Sequence, residues 1–368
     1  MHRFVRLLFG SAFAAFGGSA GAAGPVRSAL ANGPASAPAL RAPEVSRTNA
    51  LSTGPAAPGR EPLTVASEAS AVYFALPDTL VDSSSKADTA RVVLASLAGK
   101  SGKLKAHFLT EARRALEIPV IRQLFGGDSG MTQPGVYAVP DNSFAFITML
   151  PFTSKTKGRI GDYRIGFWPA ERHRRRASLE SYENPDGFIM VTPENADTPI
   201  SEHFTLRDFL THDQADVWPK YMVLREELVD KLELIIDDME SHGHPVQKLV
   251  VMSGFRTPEY NIQGVGRRGG RALDSRHQFG DAADIYVDNG DGRMADLNGD
   301  GRVDTRDVRV LLESVDRVEA EHPELVGGEG IYRANRQHGP FLHVDVRGWP
   351  ARWALVEPPR RKARRHNG

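Results

Sequence analysis

Between Phe16 and Tyr73 the chain carries no aromatic side chain, and residues 23–70 hold seven prolines: Pro25, Pro34, Pro38, Pro43, Pro55, Pro58 and Pro62. Alanine, serine and glycine fill most of the rest. Such a stretch cannot bury enough apolar area to offset the entropy of ordering it, so it reads as a disordered linker. Any core must therefore be built from residue 71 onward. The 368 residues, 40% of them hydrophobic, suffice for that.

The segment before the linker has a different character. Arg3 and Arg6 precede an apolar run, Leu7 to Phe16, and small residues follow through Ala23. Ala20 and Ala22 form an A-x-A cleavage pattern, so residues 1–22 read as a secretory signal peptide. The apolar run is shorter than the roughly 20 residues a membrane span needs. The expectation is a protein secreted across the inner membrane into the periplasm or cell envelope, without stable membrane insertion once the signal is cleaved.

Charge and cysteine content exclude several chemistries. The 46 basic and 46 acidic residues balance, which argues against a dedicated nucleic-acid binder. With no cysteine there are no disulfides, thiolate nucleophiles, iron–sulfur clusters or cysteine-ligated zinc. A metal must then sit on His, Asp or Glu.

Residues 71–200 read as a separate, mixed α/β-rich N-terminal domain whose role the sequence does not state. Ala87–Ala98 and Lys103–Leu116 show helical periodicity, whereas Ser143–Leu150 and Tyr163–Trp168 alternate like strands. The basic run Arg172–Arg176 reads as a solvated loop. From residue 201 the pattern changes. Tyr221, Leu224, Leu228, Leu232, Ile235 and Met239 mark one face of a helix, stopped by Gly243 and Pro245. Lys248–Ser253, Ala283–Val287 and Phe341–Arg347 read as strands. The expected class is α+β, with residues 201–355 a domain of small antiparallel sheet and flanking helices. Residues 356–368 form a basic, frayed tail.

Three segments of that domain carry the chemistry: Ser253–Asn261 (SGFRTPEYN), Ser275–Asp284 (SRHQFGDAAD) and His338–Asp345 (HGPFLHVD). Gly280 and two alanines between His277 and Asp284 let a loop histidine face a strand aspartate. His343 on another strand completes a two-histidine, one-carboxylate set, which leaves one tetrahedral position open, as catalytic zinc requires.

These motifs, Ser275-x-His277-x-x-Gly280-x-Ala282-x-Asp284 with His343-Val-Asp345 downstream and Ser-Gly-Phe-Arg-Thr-Pro-x-Tyr-Asn upstream, resemble those of the M15 zinc peptidases. That is the D-Ala-D-Ala carboxypeptidase family, which shares its fold with the Hedgehog signalling domain. The likeness covers about Ser201–Trp353. It implies His277, Asp284 and His343 as zinc ligands. It further implies Arg256 as the arginine that stabilises an oxyanion or holds substrate, a role that suits a fixed guanidinium. His338, five residues before His343, matches the catalytic histidine of the carboxypeptidase branch; other branches place a glutamate three residues before the ligand, where this chain has Pro340. Asp345 reads as a partner of His343 or an ordinary structural acceptor, and Ser275 as a ligand-orienting residue or a turn cap.

Two stretches depart from the family's pattern. Residues 264–271 lengthen the connection from Arg256 to His277, and 59 positions separate Asp284 from His343. Within the second gap, residues 288–319 read as an inserted calcium loop. Asp296, Asn298, Asp300, Asp304 and Asp307 fall at loop positions 1, 3, 5, 9 and 12, with Gly301 at 6 and the Arg302 carbonyl at 7. This is EF-hand spacing, with aspartate in place of the usual glutamate at position 12, as in dockerin-like loops. Val308, Leu311, Leu312, Val315 and Val318 support an exiting helix.

The functional expectation is a secreted zinc peptidase hydrolysing peptidoglycan stem peptides, as a D-Ala-D-Ala carboxypeptidase or DD-endopeptidase, with Ca2+ bracing the insertion. The alternative is a non-catalytic, Ca2+-dependent wall-binding module on a peptidase-like fold.

Overall fold

The computed structural model describes residues 71–73, 94–110, 133–139, 143–172, 182–266 and 270–353. The signal segment, the linker, most of the Arg172–Arg176 run and the basic tail lie outside the described residues, as does most of the Ala87–Ala98 helix expectation.

The chain is α+β. A first sheet takes β1 (Ala71–Tyr73), β2 (Ala106–Leu109), β3 (Gly135–Ala138) and β4 (Ala145–Thr148) in the order β1-β3-β4-β2. The helix expected over Lys103–Leu116 is thus corrected, because Ala106–Leu109 is a strand parallel to β4. Ala106 and Phe108 are buried beneath that pairing, so tertiary burial overrides a periodicity that a short apolar segment cannot decide. A small three-stranded sheet follows from β5 (Leu150–Pro151), β8 (Gly187–Val191) and β9 (Lys220–Met222), and β6 (Arg159–Ile160) and β7 (Tyr163–Arg164) make a hairpin. Only the first two residues of the expected Tyr163–Trp168 strand are in that hairpin.

Helix α1 runs from Glu226 to Ser241. Leu228, Leu232, Ile235, Ile236 and Met239 are all at most 1% exposed, and Glu226 and Glu227 place negative charge on the first turn, where the helix dipole favours it. The apolar spacing predicted a start near Tyr221. Tyr221 instead belongs to β9 and Leu224 to the connection, so the spacing continues across a strand–helix junction because both elements cover the same core.

The five-stranded sheet that carries the candidate site is β10 (Lys248–Ser253), β11 (Ala282–Asp288), β12 (Gly328–Tyr332), β13 (Phe341–Asp345) and β14 (Ala351–Trp353), ordered β10-β11-β13-β12-β14. Its pairings are antiparallel except β12 with β14. A short helix, α2 (Pro258–Gln263), starts on the Thr257 cap, and α3 (Thr305–Glu321) packs on α1.

The boundary expected near residue 200 is not a boundary in the packing. Among the described residues, one hydrophobic cluster runs from Leu104 to Val346 across that position. The reasons are local: β8 and β9 pair across position 200, and the fully buried Trp168 donates Nε1–H to the Gln278 carbonyl at 2.8 Å.

Candidate metal centre

His277 sits on a 3-10 turn, Arg276–Phe279, that Gly280 ends in the left-handed conformation at φ 67°. The neighbouring Arg276 and Asp281 form a buried ion pair that pins the turn. A Cβ on Gly280 would lie 2.2 Å from the Val223 carbonyl oxygen, so glycine is required both for the backbone angle and for close approach. From there β11 begins with two alanines and presents Asp284. In register, Asp284 lies directly opposite His343 on β13 and beside Ser253 on β10. Directly paired residues point to one face, so two strands and a turn deliver all three groups to one point.

The polar atoms converge closely. His343 Nδ1 is 2.9 Å from Asp284 Oδ1, His277 Nε2 is 3.2 Å from the same oxygen, and the two inner nitrogens are 3.1 Å apart. All three residues are buried. Their outer atoms are committed elsewhere. His277 Nδ1 donates to the Gly254 carbonyl at 2.7 Å, and His343 Nε2 faces Asp345 Oδ2 at 3.3 Å. Asp345 is itself fixed by Gly328 N at 2.8 Å and by the Arg347 guanidinium. With both outer nitrogens carrying the protons, three electron pairs face one another in a dry site, an arrangement that repels itself unless a cation enters.

The acid–base preferences agree. Burial, reinforced by the Arg256 charge, pushes His277 down to about 4, leaving it neutral near pH 7. Burial works against the Asp284 carboxylate, but His277, His343 and Arg256 outweigh it and hold it well below the usual range. Burial also opposes a charge on His343, yet its bonds to Asp284 and Asp345 raise its pKa, so a proton there is the natural substitute for a metal. Among the described residues, His277, Asp284 and His343 are the one histidine/carboxylate set in which three or more groups converge as a metal site requires.

Arg256 reaches this centre from the turn after β10. Its guanidinium pairs with Asp284 Oδ2, and its Nε donates to Ser253 Oγ at 2.8 Å. Thr257 caps α2 immediately after, which fixes the arginine's backbone. A cleft of about 870 Å3 opens over the centre, and Arg256, Ser275, Tyr332, His338 and Trp353 all line it. The Ser275 side chain makes no capping bond to the turn it precedes, so the cap reading is corrected. The Trp353 ring packs at a tilt on His343, with centroids 5.1 Å apart, and its Nε1–H donates to Tyr332 Oη at 2.8 Å. Gly330 makes room for that indole, since a Cβ there would lie 2.3 Å from Trp353 Nε1.

His338 precedes β13 and packs edge-on against Phe341, with ring centroids 4.9 Å apart. Asn335 Oδ1 accepts from Gln337 N at 2.7 Å and His338 N at 3.2 Å, which orients its amide nitrogen toward His338 Nε2 at 2.7 Å. Nδ1 then donates to the Gly339 carbonyl at 2.8 Å. His338 is thereby held as the Nδ1–H tautomer with its Nε2 lone pair engaged by Asn335.

The 296–307 loop does not converge in the same way. Asp296 accepts from the backbone of Asp300 and Gly301, Asn298 from Asp300, and Asp300 from Arg302. Arg306 forms ion pairs with both Asp300 and Asp304. Asp307 is buried and accepts from Leu297, Asn298 and Asp304, closing a capping box at the start of α3. The oxygens expected at positions 5, 9 and 12 therefore all have protein partners.

Sequence reasoning missed Arg347, Asn335 and Trp353. A charged residue two positions after Asp345 gave a signal for Arg347, and an asparagine three residues before His338 gave one for a local turn at Asn335, whereas Trp353 had none, because only chain folding sets it on His343. No protein family, curated protein or solved structure matches the chain.

Proposed function

We propose that this protein is a zinc-dependent peptidase of the cell envelope that hydrolyses peptidoglycan stem peptides, as a D-Ala-D-Ala carboxypeptidase or DD-endopeptidase, on a fold of the Hedgehog/DD-peptidase type. The observation that carries it is the buried His277–Asp284–His343 centre, whose two imidazoles have their outer nitrogens tied to Gly254 and Asp345 so that their inner ones are lone-pair donors. The donor set suits zinc: two neutral imidazoles and one carboxylate leave a coordination position for substrate chemistry. His277, Asp284 and His343 would hold the ion, which when bound supplies a Lewis acid and lowers the pKa of water at the site.

The remaining roles belong to the chain. Arg256 uses Nη2 and Nε to hold Asp284 and Ser253, and its other N–H bonds remain for the negative charge that develops on a carbonyl oxygen under attack. The Nε2 lone pair of His338, once Asn335 releases it, accepts the proton given up by the water that attacks the carbonyl carbon, and the ring then passes that proton to the amine nitrogen as the C–N bond breaks. Tyr332 and Trp353 form an aromatic wall that limits water around the centre.

The 296–307 loop would take Ca2+ through Asp296, Asn298, Asp300 and the Arg302 carbonyl, a bracing role at the start of α3. Its donors fit only in part, because Arg306 neutralises two carboxylates and Asp307 is committed to backbone N–H groups. No step of the chemistry depends on it.

The test joins metal analysis to product analysis. Wild type should bind one zinc and trim defined muropeptides, read by mass spectrometry, and His277→Ala should lose both. Hydrolysis retained without metal would refute the reading. Zinc-loaded protein that leaves every muropeptide intact while binding sacculi tightly would favour a non-catalytic wall-binding module.

A further inference from the structure

The cleft has more positive charge than its own carboxylates answer. Five arginines line it, against two aspartates, Asp274 and Asp284. Arg256, Arg276 and Arg347 each pair with an aspartate beneath the surface. Arg271 does not: among the described residues it has no carboxylate partner. It is nevertheless held in place. Its Nη1 donates to the Tyr260 carbonyl at 2.7 Å, and its guanidinium stacks 4.3 Å from the Tyr260 ring centroid. Gly264 lies against the other side of the stem, where a Cβ would sit 2.3 Å from Arg271 Cδ. The backbone is closed there too, by Arg271 N to Gly264 O at 3.0 Å, and Asn261 holds the next two carbonyls at 3.0 and 3.2 Å.

A guanidinium that is stacked, bonded once to a carbonyl and seated on a glycine has lost most of its rotamer entropy before any ligand arrives. Its unused N–H bonds form a planar fork that matches a carboxylate. We propose that Arg271 is a specificity-determining anchor for a carboxylate carried by the substrate. The inference rests on the peptidase reading, which it deepens by requiring an anionic peptide. Two carboxylates have the right chemistry, the peptide's free C-terminus and an acidic side chain.

The test uses peptides ending in D-Ala-D-Ala in two matched pairs: free acid against C-terminal amide, and glutamate against glutamine within the peptide. Binding to metal-free protein is measured by calorimetry, where turnover cannot intervene, and KM is measured on the zinc-loaded enzyme. Wild type should prefer the acid member of one pair. R271Q should lose roughly tenfold affinity for that member and almost none for its neutral partner, the size of one charge-assisted contact. G264A keeps the charge but takes the space under the stem, so it should weaken the same member, and R271K should recover part of the loss. The pair that responds identifies the carboxylate. The proposal is overturned if wild type binds acid and neutral forms alike, or if R271Q keeps the wild-type preference. An Arg271-dependent acid preference in a protein that cleaves nothing would refute the peptidase reading and leave the anchor standing.

Discussion

The substitution Asp345→Asn tests whether the sheet holds its histidine for a metal. Asp345 Oδ1 accepts from Gly328 N at 2.8 Å, Arg347 N at 3.1 Å and Arg347 Nε at 2.9 Å, while Oδ2 pairs with the Arg347 guanidinium and faces His343 Nε2 at 3.3 Å. Two of the donors on the first oxygen are backbone N–H groups that cannot swing away, so the amide oxygen of the introduced asparagine stays there and its NH2 takes the second position, displacing the Arg347 guanidinium. A donor then meets His343 Nε2, the ring proton moves to Nδ1, and Nδ1 is the nitrogen that faces Asp284. The variant changes the tautomer and hence the ligand. Outer partners of metal-bound histidines contribute about 10–100-fold in metal affinity, or roughly 1.4–2.8 kcal/mol. Losing the charge opposite Arg347 would lower stability by about 1–3 kcal/mol as well. A chromophoric chelator in competition for zinc reads the first effect, and circular-dichroism melting reads the second. Zinc affinity within about twofold of wild type, in a variant that is still folded, would refute the account of how His343 is oriented.

Other outcomes follow from the same geometry. Gly280→Ala should cost at least about 2 kcal/mol in urea denaturation, because it sets a side chain in the left-handed region and against the Val223 carbonyl. Glu329 is fully buried between Glu319 and Arg352, and burial, then the Glu319 carboxylate, push it up to about 8. The folded state therefore binds more protons than the unfolded chain between roughly pH 4.5 and 8, and stability falls as pH rises through that window. Glu329→Gln should flatten that decline in melting curves taken from about pH 5 to 8.5; an unchanged slope would show that Glu329 is not its source. Millimolar Ca2+ should raise the melting temperature of wild type but not of Asp296→Ala. No shift in wild type would remove calcium from the 296–307 loop.

The sequence alone determined the members of the centre. His277, Gly280 and Asp284 are close in the chain, and small residues between them are legible as a turn into a strand whatever surrounds it. The strands β10, β11 and β13 were legible for the same reason, since each is a short apolar run bounded by turn residues. β12 and β14 were not, because Gly328–Tyr332 contains two glycines and Ala351–Trp353 is only three residues long. Lys103–Leu116 misled, because its periodicity is judged over too few apolar positions to separate a buried strand from a helix.

Tertiary structure decided what those groups can do. It set Asp284 opposite His343, turned each imidazole by an acceptor on a neighbouring element or strand position, and placed Arg256 on the carboxylate's other oxygen. It also joined the two halves expected on either side of residue 200, because strand pairing and a shared core join segments that composition keeps apart. Local patterns encode residue type and spacing, and so they name candidate ligands. Which lone pair His277 offers depends on groups 23 and 66 positions away, the Gly254 carbonyl and the His343 ring, and only the folded chain brings those together.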